Sequence, residues 1–177
     1  MSSRLATEIV GLKLSNPTML AAGILGLSGV FLKEIANAGA GAIVTKSIGL
    51  KSRSGYPNPS VVQVDCGLLN AMGLPNPGIH RFVEEMTEAK TLGVPIIVSV
   101  YGFSAQEFGE VASYAVKAGA DAVELNVSCP HVEKTGSEIG QYPQLVKGVV
   151  KEVKKRVKKP VFVKLTPNVN DIVEVAK

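Results

Sequence analysis

Five short apolar runs recur along the chain, each bounded by turn residues. Each run is apolar almost throughout instead of alternating, which is typical of a strand buried on both faces of a parallel sheet. We therefore predict five buried strands, at residues 18–22, 42–46, 96–100, 122–126 and 161–165.

The segments between these runs place apolar residues three and four positions apart, which is the period of an amphipathic helix. The predicted apolar helix faces are Phe31, Ile35 and Ala38; Phe82, Met86, Ala89 and Leu92; Phe108, Val111, Ala112, Ala115 and Val116; and Leu145, Val146, Val149, Val150, Val153 and Val157. Strands and helices alternate, which predicts an α/β fold with parallel strands and helical crossovers. A short N-terminal β-hairpin within about residues 5–15, turning at Gly11, is expected to close one end of a barrel.

Two of the four connections between successive strands are much longer than the others. The extra length falls in residues 47–77 and 127–141, directly after the C-terminal ends of strands. Long loops at this end build the active site of a TIM barrel. A doubly wound sheet also places its loops there, so the spacing leaves both folds open.

Composition excludes several function classes. The chain has 177 residues, 46% hydrophobic and 19% charged, which is typical of a globular domain and not of a disordered one. The net charge of +4 comes from residues 147–164, which include eight basic residues and one acidic residue. Because no aromatic residues are interleaved there, we expect no nucleic-acid partner.

The sequence also indicates no membrane span and no metal. The most apolar stretch, residues 94–103, is about half the ~20 residues that a spanning helix needs. The N-terminus lacks a long apolar segment, so we expect a cytoplasmic protein. Cys66 and Cys129 are far apart and form no ligand cluster, so neither a disulfide framework nor a metal site is indicated.

Polar residues follow nearly every predicted strand. Lysine is almost never buried unpaired, so Lys46 and Lys164 at apolar strand ends are unusual for surface residues. We expect them to converge on an anion, whether a carboxylate, a phosphate or a reduced cofactor. The other polar residues at strand ends are Ser47, Ser99 and Asn126.

Residues 126–131, Asn-Val-Ser-Cys-Pro-His, form the sharpest local motif. A lone cysteine is usually a small buried hydrophobe, but amides and lysines nearby favour the thiolate, so Cys129 is a candidate for thiol chemistry. His131 could act as a base, although no acid is placed to orient it. The glycines of residues 23–29 are spaced G-x-x-G-x-x-G, which is a weak match to a dinucleotide-binding fingerprint.

Taken together, these segments resemble the dihydroorotate dehydrogenases, specifically the soluble class that uses a catalytic cysteine. The matching stretches occur in family order, at residues 45–48, 53–59, 70–78, 124–130 and 163–168. The resemblance implies a TIM (β/α)8 barrel that binds FMN. Residues 1–177 would form the N-terminal portion of this single domain, with about five of its eight strands.

The resemblance also implies roles for individual residues in flavin-dependent oxidation of dihydroorotate to orotate, a step of de novo pyrimidine biosynthesis. Cys129 would remove the C5 proton while hydride passes from C6 to flavin N5. The implied substrate-binding residues are Lys46, Asn70, Ala71, Met72, Gly73, Leu74 and Asn126. The implied FMN-binding residues are Ala22, Gly23, Lys46, Ser47, Ser99, Asn126 and Lys164.

Two departures from the family pattern keep alternatives open. Ser99 and His131 stand where many relatives have Asn. Cys-Pro-His, together with residues 139–141, also resembles the pyrimidine-reducing domain of dihydropyrimidine dehydrogenases, which act on uracil and thymine. A partial-barrel scaffold or binding module without enzyme activity is the remaining alternative.

Partners and activity follow from the same resemblance. It implies a homodimer, with electrons passing either to fumarate or through a subunit that carries FAD and an iron–sulfur cluster toward NAD. Five strands cannot close an eight-stranded barrel, and phosphate-binding loops after the seventh and eighth strands would lie beyond residue 177. We therefore expect the 177 residues alone to bind FMN poorly and to be inactive.

Overall fold

The computed structural model describes residues 4–23, 25–128 and 137–177. Nine strands and six helices are assigned within these residues. In chain order they are β1 (Thr7–Ile9), β2 (Leu12–Leu14), β3 (Met19–Leu20), α1 (Gly29–Asn37), β4 (Ala42–Val44), β5 (Val61–Val64), β6 (Gly67–Asn70), α2 (Ile79–Ala89), β7 (Ile96–Val100), α3 (Ala105–Lys117), β8 (Ala122–Asn126), α4 (Ser137–Gly140), α5 (Pro143–Arg156), β9 (Val161–Lys164) and α6 (Ile172–Ala176).

A five-stranded sheet with the spatial order β3-β4-β7-β8-β9 forms the centre of the structure. Every neighbouring pair is parallel, and each strand lies beside the strand that precedes it in the sequence. A doubly wound sheet starts in the middle and reverses direction, whereas a (β/α) barrel adds strands in sequence order. The predicted α/β fold is thus confirmed as a partial TIM barrel, open between β3 and β9.

The two faces of this sheet pack against different partners. Residues of the outer face, including Ile43, Val98 and Val123, belong to the main core beneath the helices. On the inner face Val44, Ile97 and Ala122 form a second, smaller cluster. Leu12 of β2 packs against this inner cluster. The β1–β2 pair, where the sequence predicts a hairpin, therefore contributes to the inside of the barrel near the strand starts.

The predicted helix faces are largely those that the structure buries. Ile79, Phe82, Met86 and Ala89 are the buried residues of α2. The predicted face of α1 is only partly right, because Ile35 packs against the main core but Phe31 is 48% exposed. Helix α1 buries Gly29 and Leu32 instead.

The contact between α1 and α2 explains why α1 buries Gly29 and leaves Phe31 exposed. Glu85 Oε2 of α2 accepts a hydrogen bond from the backbone N–H of Gly29 at 2.8 Å. A Cβ on Gly29 would lie only 2.5 Å from Glu88 Oε2, so α1 docks through a position that only glycine can fill without rearrangement.

In α5 the predicted core residue Leu145 is likewise exposed, while Val146, Val149 and Val153 are buried.

The long connection after β4 contains an antiparallel hairpin that the sequence analysis did not predict. Strands β5 and β6 pair with Val64 opposite Gly67, so Asp65 and Cys66 form the turn. Most side chains of both strands are exposed. A hairpin of this kind lacks the one-sided apolar alternation that identifies a half-buried strand, which is why the sequence pattern did not reveal it.

In the part of the chain that the structure describes, no helix combines the length and the apolarity needed to cross a membrane.

Candidate functional site

The inner face of the sheet changes from apolar to polar toward the C-terminal ends of the strands. Near the strand starts it is apolar, where Val44, Ile97 and Ala122 pack together. Residues two apart on a strand share a face, so the positions that follow on the same face lie nearer the barrel mouth. These positions carry Lys46, Ser99, Glu124, Asn126 and Lys164.

Hydrogen bonds connect the ends of the neighbouring strands β4, β7 and β8 at this level, and an ion pair adds β9. Asn126 Nδ2 donates to Ser47 Oγ at 2.8 Å, and the hydroxyls of Ser47 and Ser99 lie 2.9 Å apart. Ser99 Oγ donates to Glu124 Oε1 at 2.9 Å. The ammonium of Lys164 lies 3.4 Å from the same carboxylate oxygen. Four predicted site residues are therefore joined in one network, which we call the strand-end network.

Lys46 borders the same face on the β3 side. The residue is 6% exposed, and its ammonium donates to the carbonyl of Gly23 at 2.7 Å. Gly23 itself is exposed, and a Cβ at this position would meet no atom within 4 Å. Each of the two predicted lysines is thus held by a protein oxygen, Lys46 by a carbonyl and Lys164 by a carboxylate.

The segment predicted to bind substrate, residues 70–74, starts on the unpredicted hairpin. Asn70 is the exposed last residue of β6 and Ala71 is also exposed, whereas Gly73 and Leu74 are buried. Gly73 and Leu74 both have a positive φ, 73° and 56°, and the Gly73 carbonyl accepts from Arg53 Nε at 2.7 Å. The structure does not include these five residues in the strand-end network.

Asn76 anchors the loop that carries this segment. Its Oδ1 accepts from the backbone N–H groups of Gly49 and Gly78, at 3.2 and 2.9 Å. Its Nδ2 donates to the Leu74 carbonyl at 2.8 Å and to the Tyr101 hydroxyl at 2.9 Å. One buried amide therefore ties together the loops after β4, β6 and β7. Sequence analysis gave Asn76 no role, because an Asn between two prolines is ordinary loop composition.

The predicted catalytic residue Cys129 and the neighbouring His131 lie outside the described residues. The chain just before them is ordered around Asn126, whose Oδ1 accepts from the backbone N–H and the hydroxyl of Ser128, at 3.2 and 2.9 Å. Asn126 therefore fixes both the start of this loop and one end of the strand-end network. Cys66 is exposed at the β5–β6 turn and is not disulfide-bonded.

Glu124 is the network residue that sequence analysis overlooked. It lies in the stretch of residues 124–130 that resembles the family, but that resemblance implies no role for it. A signal was available, because Glu124 follows two apolar residues of β8 and lies two positions from Asn126, so both polar side chains share one face. It lies directly opposite Ser99 in the register of β7 and β8.

We predict that Asn76→Ala lowers the free energy of unfolding by about 1–3 kcal/mol, because it leaves buried partners without hydrogen bonds. Chemical denaturation of the variant and the parent protein measures the difference. Asn37→Ala, at an exposed position at the end of α1, is the matched control and should change stability by less than about 0.5 kcal/mol. Equal stability of the two variants would show that the Asn76 amide does not hold these loops.

Comparison with known proteins agrees with this architecture. Residues 4–177 match the dihydroorotate dehydrogenase family. Similar curated proteins include the dihydroorotate dehydrogenase B (NAD(+)) catalytic subunits of Thermoplasma volcanium, Methanocaldococcus jannaschii and Methanosarcina mazei, which are 49%, 51% and 53% identical over 175, 177 and 172 residues. These alignments cover 99%, 98% and 96% of this chain.

The same alignments cover 58%, 58% and 55% of the relatives, so the chain spans a little over half of their length. The family match extends over almost every residue, and the sheet order is that of the barrel which the motifs implied. The chain therefore belongs to the dihydroorotate dehydrogenase family.

Proposed function

We propose that the full-length protein, meaning a chain of the relatives' length that contains these residues, oxidises dihydroorotate to orotate in pyrimidine biosynthesis. The observation that carries the proposal is the strand-end network, a set of buried and half-buried polar side chains at the barrel end where enzymes of this fold place their active sites. The name shared by the similar proteins supports the same reaction.

The residues at this end fit a flat, electron-accepting cofactor, which we propose is FMN. Lys46 and Lys164 supply positive charge on two sides of the inner face, and Gly23 leaves open space beside it. Bound FMN would accept the hydride that the substrate loses. The residues that we propose to hold it are Ala22, Gly23, Lys46, Ser47, Ser99, Asn126 and Lys164.

Substrate would be held by the loop that Asn76 anchors, together with Lys46 and Asn126. Dihydroorotate carries a carboxylate and two ring amides, which need donors and acceptors in a fixed array. Asn70, Ala71, Met72, Gly73 and Leu74 offer one side-chain amide and a run of backbone groups. The buried Asn76 amide stabilises the far end of this run through Leu74.

We propose Cys129 as the base that removes the C5 proton of the substrate. Positive charge favours a thiolate, and Lys46 and Lys164 flank the face from which this loop departs. The hydrogen bonds from Ser128 to Asn126 hold the chain immediately before Cys129, so the loop would leave β8 in a defined direction.

The relatives' names point to the electron acceptor. They include NAD(+) and describe a catalytic subunit, so we propose that the full-length protein passes electrons to NAD through a partner subunit carrying FAD and an iron–sulfur cluster. We also propose a homodimer of catalytic subunits in the cytoplasm. Size measurement of the full-length protein alone and with its partner tests both assemblies.

A comparison of two substrates tests the reaction against the dihydropyrimidine alternative. We expect dihydroorotate to reduce the flavin of the full-length protein, and dihydrouracil, which lacks the carboxylate, to reduce it at least about 100-fold more slowly. Stopped-flow absorbance of one anaerobic preparation measures both rates. Faster reduction by dihydrouracil would favour the dihydropyrimidine dehydrogenase-like function.

A further inference from the structure

Glu124 lies where the strand-end network meets a positive charge. It sits on the inner face of β8 between Ser99 of β7 and Lys164 of β9, with its side chain 15% exposed. A single oxygen, Oε1, accepts from the Ser99 hydroxyl at 2.9 Å and faces the Lys164 ammonium at 3.4 Å. The other oxygen is not needed for either contact.

The direction of every hydrogen bond in the network is determined from its two ends. At one end the backbone N–H of Ser128 can only donate, so Asn126 must present Oδ1 to it and Nδ2 to Ser47. At the other end a carboxylate beside an ammonium can only accept, so Ser99 donates to Glu124. The Ser47 hydroxyl therefore donates to Ser99.

The same carboxylate offsets the charge of Lys164. The Lys164 side chain is 36% exposed, and its ammonium lies 3.4 Å from Glu124 Oε1. A ligand in the barrel mouth would therefore meet Lys164 as one half of an ion pair instead of an isolated cation. How strongly Lys164 attracts negative charge depends on Glu124.

We propose that Glu124 is a positioning residue that orients Lys164 and reduces its positive field at the bound flavin, which sets the flavin's reduction potential lower than Lys164 alone would set it. This inference rests on the proposed function, because it requires a flavin at this face. Its sign follows from charge: reduction adds negative charge to the cofactor, and a nearby carboxylate opposes that addition.

The test is the two-electron reduction potential of the full-length flavoprotein carrying Glu124→Gln. Glutamine keeps Oε1, which can still accept from Ser99, and replaces the charged carboxylate by a neutral amide of nearly the same shape. We expect the equilibrium to shift about tenfold toward the reduced flavin, which corresponds to a potential about 30 mV more positive. Redox titration with a reference dye, followed by the flavin spectrum, measures this shift.

Glu152→Gln is the matched control. Glu152 on α5 is also ion-paired, with Lys155 at 2.9 Å and Arg156 at 2.8 Å, and hydrogen bonds from Lys155 and then Arg156 lower the pKa of its carboxyl. The substitution changes the net charge of the protein by the same amount as Glu124→Gln. It should leave the flavin potential unchanged, because Glu152 lies on a helix outside the sheet.

Three results decide the matter. A raised potential in Glu124→Gln alone supports the inference, and a flavin-bound variant with the parent potential overturns it. A full-length parent protein that binds no flavin overturns the proposed function and the inference with it. If Glu124→Gln does not fold, Glu124→Asp decides in its place, because it keeps the charge but withdraws it from Lys164 and should raise the potential by a smaller amount.

Discussion

Cys129→Ala in the full-length protein should slow flavin reduction by dihydroorotate by about 10²–10⁴-fold, which is the typical loss when a general base is removed. The proposed flavin-binding residues are unchanged in this variant, so FMN should remain bound. Alanine removes the thiol that is proposed to take the C5 proton. Single-turnover kinetics under anaerobic conditions separate this chemical step from product release.

Cys66→Ala is the matched control for that variant. It removes the other cysteine of the chain, which is exposed at the turn between β5 and β6. Flavin reduction should keep its parent rate in this control. If Cys129→Ala also reduced its flavin at the parent rate, Cys129 would have no part in proton removal.

Phe108→Ala should lower the free energy of unfolding of the full-length protein by about 3–5 kcal/mol. Phe108 lies on α3, is completely buried, and belongs to the core between the helices and the outer face of the sheet. Helix α3 packs against α5 and against strands β7 and β8, which carry Ser99 and Asn126. The large loss follows because a rigid core cannot close around the cavity that the ring leaves.

The same substitution at an exposed helical phenylalanine shows how much of that loss depends on burial. Phe31 on α1 is 48% exposed, so Phe31→Ala should cost less than about 1 kcal/mol. Urea denaturation of both variants gives the comparison. Similar losses at the two positions would contradict the core that the structure assigns.

The sheet could be predicted because buried parallel strands have a distinct sequence pattern. The predictions at residues 96–100 and 122–126 coincide with β7 and β8, and the other three contain β3, β4 and β9 and extend at most two residues beyond either end. Strand β4 ends at Val44, two residues before the predicted end, and the Lys46 N–H donates to the Gly26 carbonyl instead of extending the sheet. Such a local alternative partner for the backbone has no apolar signature in the sequence.

The site was predictable only in part, for a related physical reason. Lys46 and Lys164 stood out because lysine in an apolar strand is costly unless it is paired. Lys46 is paired with the Gly23 carbonyl and Lys164 with Glu124. These pairings depend on how the strands are aligned in the sheet, which the sequence alone does not reveal. Asn76 is the extreme case, because its four hydrogen bonds join three loops that are distant in sequence.

Oxidation of dihydroorotate by a flavin bound in the polar barrel mouth at the strand ends is the proposed reaction of the full-length protein. Its most direct test is anaerobic addition of dihydroorotate to the full-length protein, with flavin absorbance and orotate measured in the same sample. We expect loss of the oxidised flavin spectrum with one orotate formed per flavin. A bound flavin that stays oxidised, with no orotate formed, would contradict it.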